Sequence, residues 1–549
     1  MRKTVIAAAL GECVHVAGIS KFLQLAEMAG WRTIFLGPAV PIEKVISVAK
    51  QEKADMVGLS YRLTPETGER LLADFAEAAD ELHQKGVRFV FGGTPPVAEK
   101  ANRIGFFEQV FVGGEPDDQV LAYLKGERTE NTVQIKPPQS AIERIHWKSP
   151  YPLLRHHFGL PTMEASLDGI EKISEAGVLD VISLGIDQDA QENFFHPEKQ
   201  DARRKGAGGV PVRSKEDYEA LYAASRRGNH PLLRTYSGTD DFIKLAQLYV
   251  ETIHNAWCAI PLFWFNQMDG RGPWDLEGSI RQHQMVMEWY GKHNIPVELN
   301  EPHHWGMRDA PDVICVAAAY LAAYNAKAFG VKDYIAQLMF NSPPGLSDAM
   351  DLAKMQAMLT IIEPLRSEDF QIWTQTRTGL LSYPLDVNRA RAHLATSVYL
   401  QMALKPNIIH VVGYNEADHA ATAGDVIESC TLARQAVESA IKGAPDMLSG
   451  LQVRNRVKWL VEGANITLQT IRNLQKDNTV DALTDPHTLA EAVTKGILDA
   501  PQLKNNPFGR GTISTRIFNG ACKTTNKSGK PVAEKHRIDS LLDDQGEIR

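Results

Sequence analysis

The stretch GECVHVAG, residues 11–18, joins a short apolar run, Val5–Leu10, to a segment with helical spacing, Ile19–Ala29. An apolar strand, a loop and an amphipathic helix in this order predict the first unit of a parallel α/β sheet. Ligands of such sheets bind at the carboxyl ends of the strands, which is where His15 lies. A neutral imidazole there can bind a metal, and Gly18 lets the backbone come close to a ligand. Taken alone, such a histidine is more often an ordinary surface or N-cap residue, so the prediction depends on the rest of the chain.

The alternation of strands and helices continues to about residue 125. Short apolar runs predict further strands at 33–36, 56–60, 87–91 and 109–113. Amphipathic segments between and after them predict helices at 42–51, 65–85 and 116–124. This pattern is typical of a flavodoxin-like (Rossmann-like) domain, here residues 1–126, whose parallel sheet is covered by helices on both faces.

A second and longer α/β pattern begins at about residue 151. Strands are predicted at 153–158, 181–186, 231–236, 259–265, 295–300, 334–340, 370–376 and 408–414. Eight β/α units over residues 151–442 predict a (β/α)8 TIM barrel. The polar stretch 127–150 contains Pro137-Pro138 and is predicted to be a linker. Residues 443–549 are expected to form a helical, then irregular extension that ends in a mobile charged tail after Lys527.

Length and composition narrow the class of protein. A chain of 549 residues exceeds what one hydrophobic core usually serves, so two or more domains are expected. A net charge of −8 and dispersed basic residues argue against a nucleic-acid partner. The apolar run Val5–Leu10 is too short for a secretory signal, and no stretch approaches the roughly 20 apolar residues of a membrane span. Five scattered cysteines are typical of a reduced compartment, so a cytoplasmic location is expected.

The first domain resembles the cobalamin (vitamin B12)-binding domains of methionine synthase, methylmalonyl-CoA mutase and the small subunit of glutamate mutase. Their signature, Asp-x-His-x-x-Gly, is matched here at His15 and Gly18. The stretch KADMVGLS, residues 53–60, with Thr64 just beyond it, is similar to the second motif of the family. Residues 92–94, GGT, are similar to the third motif, and residues 112–114, VGG, to the last loop. The four motifs follow one another in the family's order and spacing.

This resemblance implies that His15 replaces the cofactor's own benzimidazole as the lower ligand of cobalt, while the nucleotide tail enters a slot beside the sheet. It implies cofactor-binding roles for Glu12, Cys13, His15, Gly18, Ser60, Thr64, Gly92, Gly93, Gly113 and Gly114, and for Glu416 in the barrel. Cys13 stands where the family has the aspartate that hydrogen-bonds the histidine, and a thiol is a poor substitute. Either Cys13 or the adjacent Glu12 is therefore expected to contact the His15 imidazole. Loss of such a partner typically costs ~10–100-fold in affinity or activity.

The second domain resembles the large subunit of glutamate mutase (methylaspartate mutase), an adenosylcobalamin enzyme. Its most similar pieces are Ile186-Asp187, Gly208-Gly209-Val210, Gly238-Thr239, Asn300-Glu301-Pro302, Tyr383-Pro384, Asn415-Glu416-Ala417 and Asn506-Pro507-Phe508-Gly509. Active groups of a TIM barrel lie at the carboxyl ends of its strands. The candidate catalytic residues at these ends are Tyr236, Gln267, His303, Arg377 and Glu416.

Departures from that family indicate a different substrate. The arginines that clamp both carboxylates of glutamate align with Gln191 and Tyr236, and the glutamate that receives its amino group aligns near Gln267. Such a clamp depends on bidentate arginine geometry, so a substrate other than glutamate is expected. Glu416 matches a carboxylate beside the adenosyl ribose of the cofactor, whereas its companion lysine is replaced by Val412. The remaining candidates for anion contacts are Arg155, Arg234, Arg308 and Arg377.

Together these features favour an adenosylcobalamin-dependent radical mutase, an isomerase, that acts on a small carboxylic or amino acid. The cofactor would initiate radical chemistry on a substrate held in the barrel mouth. The alternative is a corrinoid-dependent methyltransferase using methylcobalamin. Such modules usually carry a helical cap before the B12 fold, and because the first strand here begins at residue 4 or 5, the mutase is favoured. A B12 storage or sensing protein is a third and weaker hypothesis, and a homodimer is expected by resemblance.

Overall fold

The computed structural model describes residues 3–113, 115, 117–126 and 137–544. The chain divides into two compact units, Met1–Ile135 and Lys136–Arg549. Both are α/β, as predicted from the sequence. No helix in the described ranges is both long and apolar enough to cross a bilayer.

The first unit contains a five-stranded parallel sheet in the order β2-β1-β3-β4-β5, which is the predicted flavodoxin-like order. Its strands are β1 (Thr4–Leu10), β2 (Arg32–Val40), β3 (Met56–Tyr61), β4 (Arg88–Gly93) and β5 (Gln109–Phe111). Its helices are α1 (Ala17–Met28), α2 (Ile42–Gln51), α3 (Pro65–Gln84), α4 (Pro95–Ile104) and α5 (Asp117–Lys125).

The central strand β1 explains why this unit has a core on each face of the sheet. All of its side chains are buried, and successive side chains of a strand point to opposite faces. Val5 and Ala7 pack in one cluster with α1 and α5, while Ile6 and Ala8 pack in the other with α2 and α3. A continuous apolar run is therefore required at β1, and its carboxyl end delivers the loop that carries His15.

The second unit is built on an eight-stranded parallel sheet in the order β8-β7-β6-β13-β12-β11-β10-β9. Its strands are β6 (Leu153–Phe158), β7 (Val181–Leu184), β8 (Leu232–Arg234), β9 (Cys258–Ile260), β10 (Val297–Leu299), β11 (Asp333–Phe340), β12 (Gln371–Thr378) and β13 (Ile408–His410). The two edge strands approach each other through backbone hydrogen bonds from Ala256 N to Leu233 O (2.9 Å) and from Ser237 N to Ala259 O (3.4 Å). The sheet thus forms a nearly closed barrel, as the count of β/α units predicted.

Part of the stretch predicted to be a linker forms a helix that plugs the bottom of the barrel. Helix α6 (Ala141–Lys148) begins at Ser140, whose hydroxyl accepts a hydrogen bond from Glu143 N (3.3 Å). Ala141 and Ile145 pack against the lowest layer of inward-facing side chains, which consists of Leu153, Val181, Leu232, Trp257, Ile335 and Ile408. The apolar face of α6 therefore belongs to the barrel core, and residues 137–150 are not a free linker.

The outer helices of the barrel follow or separate these strands. They are α7 (Met163–Ala176), α8 (Gln188–Glu192), α9 (Lys215–Ala224), α10 (Phe242–Ile253), α11 (Leu276–Lys292), α12 (Glu301–Gly306), α13 (Asp312–Ala328), α14 (Asp348–Ile362), α15 (Val387–Gln401) and α16 (Ala423–Ile441). The extension adds α17 (Leu451–Leu474), α18 (Pro486–Thr494), the hairpin β14 (Thr515–Phe518) and β15 (Ala521–Thr524), and α19 (Glu534–Asp544).

The extension is more ordered than the sequence suggested. Residues after Lys527 were expected to be mobile, but α19 packs on α17 through a buried carboxylate, Glu534. That carboxylate accepts hydrogen bonds from Thr467 Oγ1 (2.6 Å) and from the Arg537 guanidinium (2.6 Å). Arg537 also donates to the carbonyl oxygens of Gly496 and Ile497. The charged composition of this segment suggested a mobile tail, but Glu534 and Arg537 in the first turn of α19 pair with each other.

Candidate functional site

The middle layer of the barrel interior is polar and carries two cations for one carboxylate. Arg155 and Arg234 each place a guanidinium nitrogen 3.4 Å from Glu298 Oε2, which also accepts a hydrogen bond from Trp257 Nε1 (2.7 Å). Arg155 further donates to Gln375 Oε1 (2.9 Å). All of these side chains are buried, and all except the tryptophan are charged or polar. Their polar atoms therefore need hydrogen-bond partners from the protein or from a ligand. Arg234 Nε and Nη1 and Glu298 Oε1 have no such partner.

The next layer of side chains, at the mouth of the barrel, brings together His157, Tyr236, Arg377 and His410. The rings of His157 and Tyr236 stack 5.5 Å apart, and the tyrosine hydroxyl lies 3.3 Å from His157 Nε2. Arg155 donates to the same nitrogen at 3.1 Å. The ring of His410 lies 4.8 Å from that of His157. These contacts hold a neutral His157 in one orientation between two donors.

Arg377 is the unpaired cation of this mouth. It is 6% exposed, and its only hydrogen bond within the described residues runs from Nε to Thr378 O at 3.4 Å. No carboxylate of the described residues forms an ion pair with it. Burial lowers the pKa of Arg377, but a guanidinium keeps its charge in proteins. A buried cation without a partner is costly, so this arrangement is typical of a site that receives an anion.

Four imidazoles, three of them buried and that of His157 half-buried, lie within electrostatic reach of Arg377 and are neutral. Burial lowers the pKa of His157 to about 3, with the Arg377 charge as the second cause. Burial and the same charge also hold the pKa values of His303, His304 and His410 well below the ordinary value. His304 has no partner for either ring nitrogen, and Nδ1 of His303 and of His410 has none. The mouth therefore offers neutral hydrogen-bonding groups around one fixed positive charge.

The remaining two candidate residues occupy different positions. Glu416 is exposed as a residue, but partial desolvation of its carboxyl group raises its pKa, and the Arg377 charge opposes this shift. Gln267 does not join the cluster: it is exposed, and its amide donates to Pro273 O (2.8 Å) within its own loop. The loop after β9 turns outward there because Asn266 N and Phe265 N donate to Asp269. Of the five candidates, Tyr236 and Arg377 lie in the mouth cluster, with His303 beside it.

In the first unit, His15 lies on the exposed loop between β1 and α1. Its Nδ1 lies 3.9 Å from the Sγ atom of Cys13, which is fully buried. Glu12 is exposed and, within the part of the chain that the structure describes, forms no hydrogen bond with the imidazole, so of the two candidate partners the structure places Cys13 beside the ring. Nε2 of His15 has no hydrogen-bond partner among the described residues and is the nitrogen available to a ligand.

Beside this loop, the carboxyl ends of β3 and β4 form a second feature. Ser60 pairs with Gly92 in the parallel register of these two strands. The Ser60 hydroxyl is 4% exposed and has no hydrogen-bond partner. Gly92 has an ordinary φ, and a Cβ atom there would meet nothing within 4 Å. Thr64, the N-cap of α3, is exposed and its hydroxyl does not cap the helix.

The sequence model of the B12-binding domain family matches residues 3–121, which include all of these residues. Residues 3–121 form a B12-binding domain. The presence of this domain supports a cobalamin-dependent protein. The family match covers this domain and does not extend into the barrel.

Comparison with solved structures gives two similar chains. A cobalamin-binding protein from Desulfitobacterium hafniense DCB-2 has 22% identity over 22% of this chain and 56% of its own length, with a TM-score of 0.20. Phospho-2-dehydro-3-deoxyheptonate aldolase (DAHP synthase) from Thermotoga maritima has 14% identity over 54% of this chain and 70% of its own, with a TM-score of 0.33. This chain thus spans about half the length of the first of these proteins. No curated protein matches the sequence.

The B12-binding domain has features that fit a bound cofactor. A buried hydroxyl without a partner is costly, and Ser60 Oγ is such a group. Glycine is usually required by a positive φ or by a close neighbour, yet neither applies to Gly92 or Gly18. An external group that approaches the backbone at these positions explains both glycines. Gly113 has a φ of +90° with open space around it, Gly93 is packed against Phe91, and Gly114 lies outside the described residues.

Two mouth residues, His157 and His410, were missed in the sequence. Both lie inside predicted strands, whereas the catalytic candidates were taken only from the last residue of a strand or from the residues after it. The alternation of side chains along a strand could have identified both histidines as residues that face the barrel interior. Counting in steps of two from the buried Leu153 places Arg155 and His157 inside the barrel, and the same count from Ile408 places His410 there.

Proposed function

We propose that this protein is an adenosylcobalamin-dependent mutase that rearranges the carbon skeleton of a small carboxylic or amino acid. The observation that carries the proposal is the buried, unpaired guanidinium of Arg377 at the barrel mouth. A substrate carboxylate would supply the missing partner through two parallel N–H···O hydrogen bonds.

The neutral imidazoles around Arg377 support binding of a carboxylate. Because His157, His303 and His410 carry no charge near neutral pH, the positive charge of the mouth comes from Arg377 and not from these histidines. Their N–H groups and the Tyr236 hydroxyl can donate hydrogen bonds to polar atoms of the substrate. The charge of Arg377 therefore selects the carboxylate, while the neutral groups orient the rest of the molecule.

The interior below the mouth fixes this geometry. Arg155 donates to His157 from below and is itself held by Glu298 and Gln375. A ring held between a guanidinium and a phenol cannot turn, so His157 presents the same edge to each substrate. The buried side chains of Arg155, Glu298 and Gln375 close the interior below the mouth, which would keep water from the reacting carbon atoms and protect reactive intermediates.

In the B12-binding domain, His15 would hold the cobalt through Nε2, and Ser60 and Gly92 would contact the nucleotide tail. When bound, adenosylcobalamin supplies a weak cobalt–carbon bond and hence the radical chemistry that none of the protein side chains provides. The resemblance of the barrel to the large subunit of glutamate mutase favours a rearrangement over methyl transfer.

Electron paramagnetic resonance of the holoenzyme tests the proposal. Protein reconstituted with adenosylcobalamin is mixed with short mono- and dicarboxylic acids and α-amino acids, and frozen samples are compared. We expect at least one carboxylate to give a paramagnetic signal, which Arg377→Ala abolishes while cobalamin binding is kept. If no acid gives a signal while methylcobalamin is demethylated in the presence of a methyl acceptor, the protein is a methyltransferase and the proposal fails.

A further inference from the structure

The C-terminal extension walls a cavity of about 850 Å³ that is separate from the Arg377 cluster. One wall is the loop from Lys504 to Ile517, a second is the turn after β15, and a third is Pro343-Pro344 after β11. The volume lies within the range of small-molecule sites, roughly 300–1,000 Å³. None of the residues discussed so far as a cofactor or substrate contact lines it.

Basic side chains without acidic partners surround this cavity. Its cations are Lys504, Arg510, Arg516 and Lys527. None of the four forms an ion pair with a carboxylate of the described residues. Asp309 is the one carboxylate of the lining, and it already accepts a hydrogen bond from Gln502 Nε2 (2.9 Å). A concentration of positive charge in a chain whose net charge is −8 calls for an anionic ligand.

The wall that carries Arg510 and Arg516 is held rigidly from behind. The buried carboxylate of Asp499 accepts hydrogen bonds from the backbone N–H groups of Gly511 (2.7 Å), Thr512 (2.9 Å) and Ile513 (3.0 Å). The hydroxyl of Thr515 is tied to Asp309 O (2.8 Å). Little conformational entropy remains to be lost in this loop when a ligand binds, which favours affinity.

We propose that this cavity binds a small molecule with a di- or triphosphate group. Four cations that line one cavity exceed what one carboxylate needs, and arginine binds phosphate oxygens in a bidentate manner. Hydroxyl groups of Ser514 and Thr512 also line the cavity and can donate to phosphate oxygens. Pro343, Pro344 and Ile517, which is 40% exposed, provide an apolar surface for the organic part of such a ligand.

Binding measurements on the full chain test this site. Isothermal titration with inorganic pyrophosphate, ATP and coenzyme A is compared for the wild type, Arg516→Glu, Lys527→Glu and the control Arg454→Glu. Arg454 is exposed on α17, outside the cavity, so its reversal changes net charge equally. We expect binding of at least one probe to weaken about tenfold or more in each cavity variant and to stay unchanged in the control.

Three results overturn the proposal: no probe binds, the control weakens binding as much as the cavity variants, or binding is insensitive to Arg516→Glu. Arg377→Ala distinguishes two kinds of phosphate ligand, a substrate and an effector. A substrate that extends from the barrel mouth loses affinity in this variant, whereas an effector confined to the cavity does not, and both results support an anion site here. Because the titration needs no cobalamin, its outcome is independent of the proposed mutase activity.

Discussion

The Sγ atom of Cys13 lies 3.9 Å from Nδ1 of His15, and among the described residues this is the hydrogen-bond contact of the imidazole. A thiol is a weak hydrogen-bond partner, so the histidine receives little of the electron density that a carboxylate partner would supply. His15 is therefore expected to be a weaker cobalt ligand than one backed by an aspartate.

This relationship predicts a gain of affinity on Cys13→Asp. At about pH 8 an ionised aspartate accepts the Nδ1–H hydrogen bond and strengthens Nε2 as a donor, which should raise cobalamin affinity about tenfold. Cys13→Ala, which removes only a weak contact, should change affinity much less. Equilibrium titration followed by absorbance provides the measurement. Equal affinities of folded Asp and Ala variants would show that position 13 does not act through His15.

Ser60→Ala should separate the needs of the free protein from those of the cofactor. Its buried hydroxyl has no partner, so removing it should leave the stability of the cobalamin-free protein unchanged or raise it by about 1 kcal/mol. Cobalamin affinity should fall several-fold if the hydroxyl bonds the nucleotide tail. Urea unfolding and a cobalamin titration give the two values. A loss of stability without loss of affinity would contradict this role.

Gly92→Ala tests the same cofactor site through the open space beside the backbone rather than through a hydrogen bond. The added methyl group meets no protein atom within 4 Å and φ is ordinary, so the cobalamin-free protein should be at least as stable as the wild type. The methyl group would fill space meant for the cofactor, and affinity should fall about tenfold or more. Gly86→Ala is the matched control, because its φ of +86° makes that change destabilising without affecting the cofactor.

The buried imidazoles predict that the barrel loses stability in acid. Their folded pKa values lie below the ordinary value of 6.5, so the unfolded chain binds protons that the folded barrel refuses. Stability is fully present above about pH 6.5 and falls as pH decreases, by up to about 1.4 kcal/mol per pH unit for each such histidine. His410→Asn should flatten the pH dependence of the urea midpoint. The control His487→Asn, at an exposed histidine, should not.

The fold was predictable because its signals are local. Strand β6 was predicted at its observed bounds, 153–158, because Gly159 directly follows its last residue and ends the pattern of a strand. Helix α6 was missed because it has only eight residues and follows two prolines, although Ser140 and Glu143 have the spacing of an N-terminal cap.

The candidate site was predictable only in part. Arg377 and Tyr236 follow or end predicted strands, so they were found. Gln267 was predicted only from the resemblance to the large subunit of glutamate mutase. The outward turn that removes it from the mouth depends on Asp269, a contact that the sequence pattern does not reveal. The pairing of Arg155 with Glu298 joins residues far apart in the chain and needs the closed barrel.

The most direct test of cobalt ligation by His15 is electron paramagnetic resonance of cob(II)alamin bound to protein in which all histidines carry ¹⁵N. If Nε2 of His15 is the lower ligand, the superhyperfine lines must change from the triplets of ¹⁴N to the doublets of ¹⁵N, and His15→Ala must abolish the change. Triplets that persist in the labelled protein would show that the cofactor's own benzimidazole binds the cobalt, and lines without this splitting would show that no nitrogen binds it; either result contradicts ligation by His15.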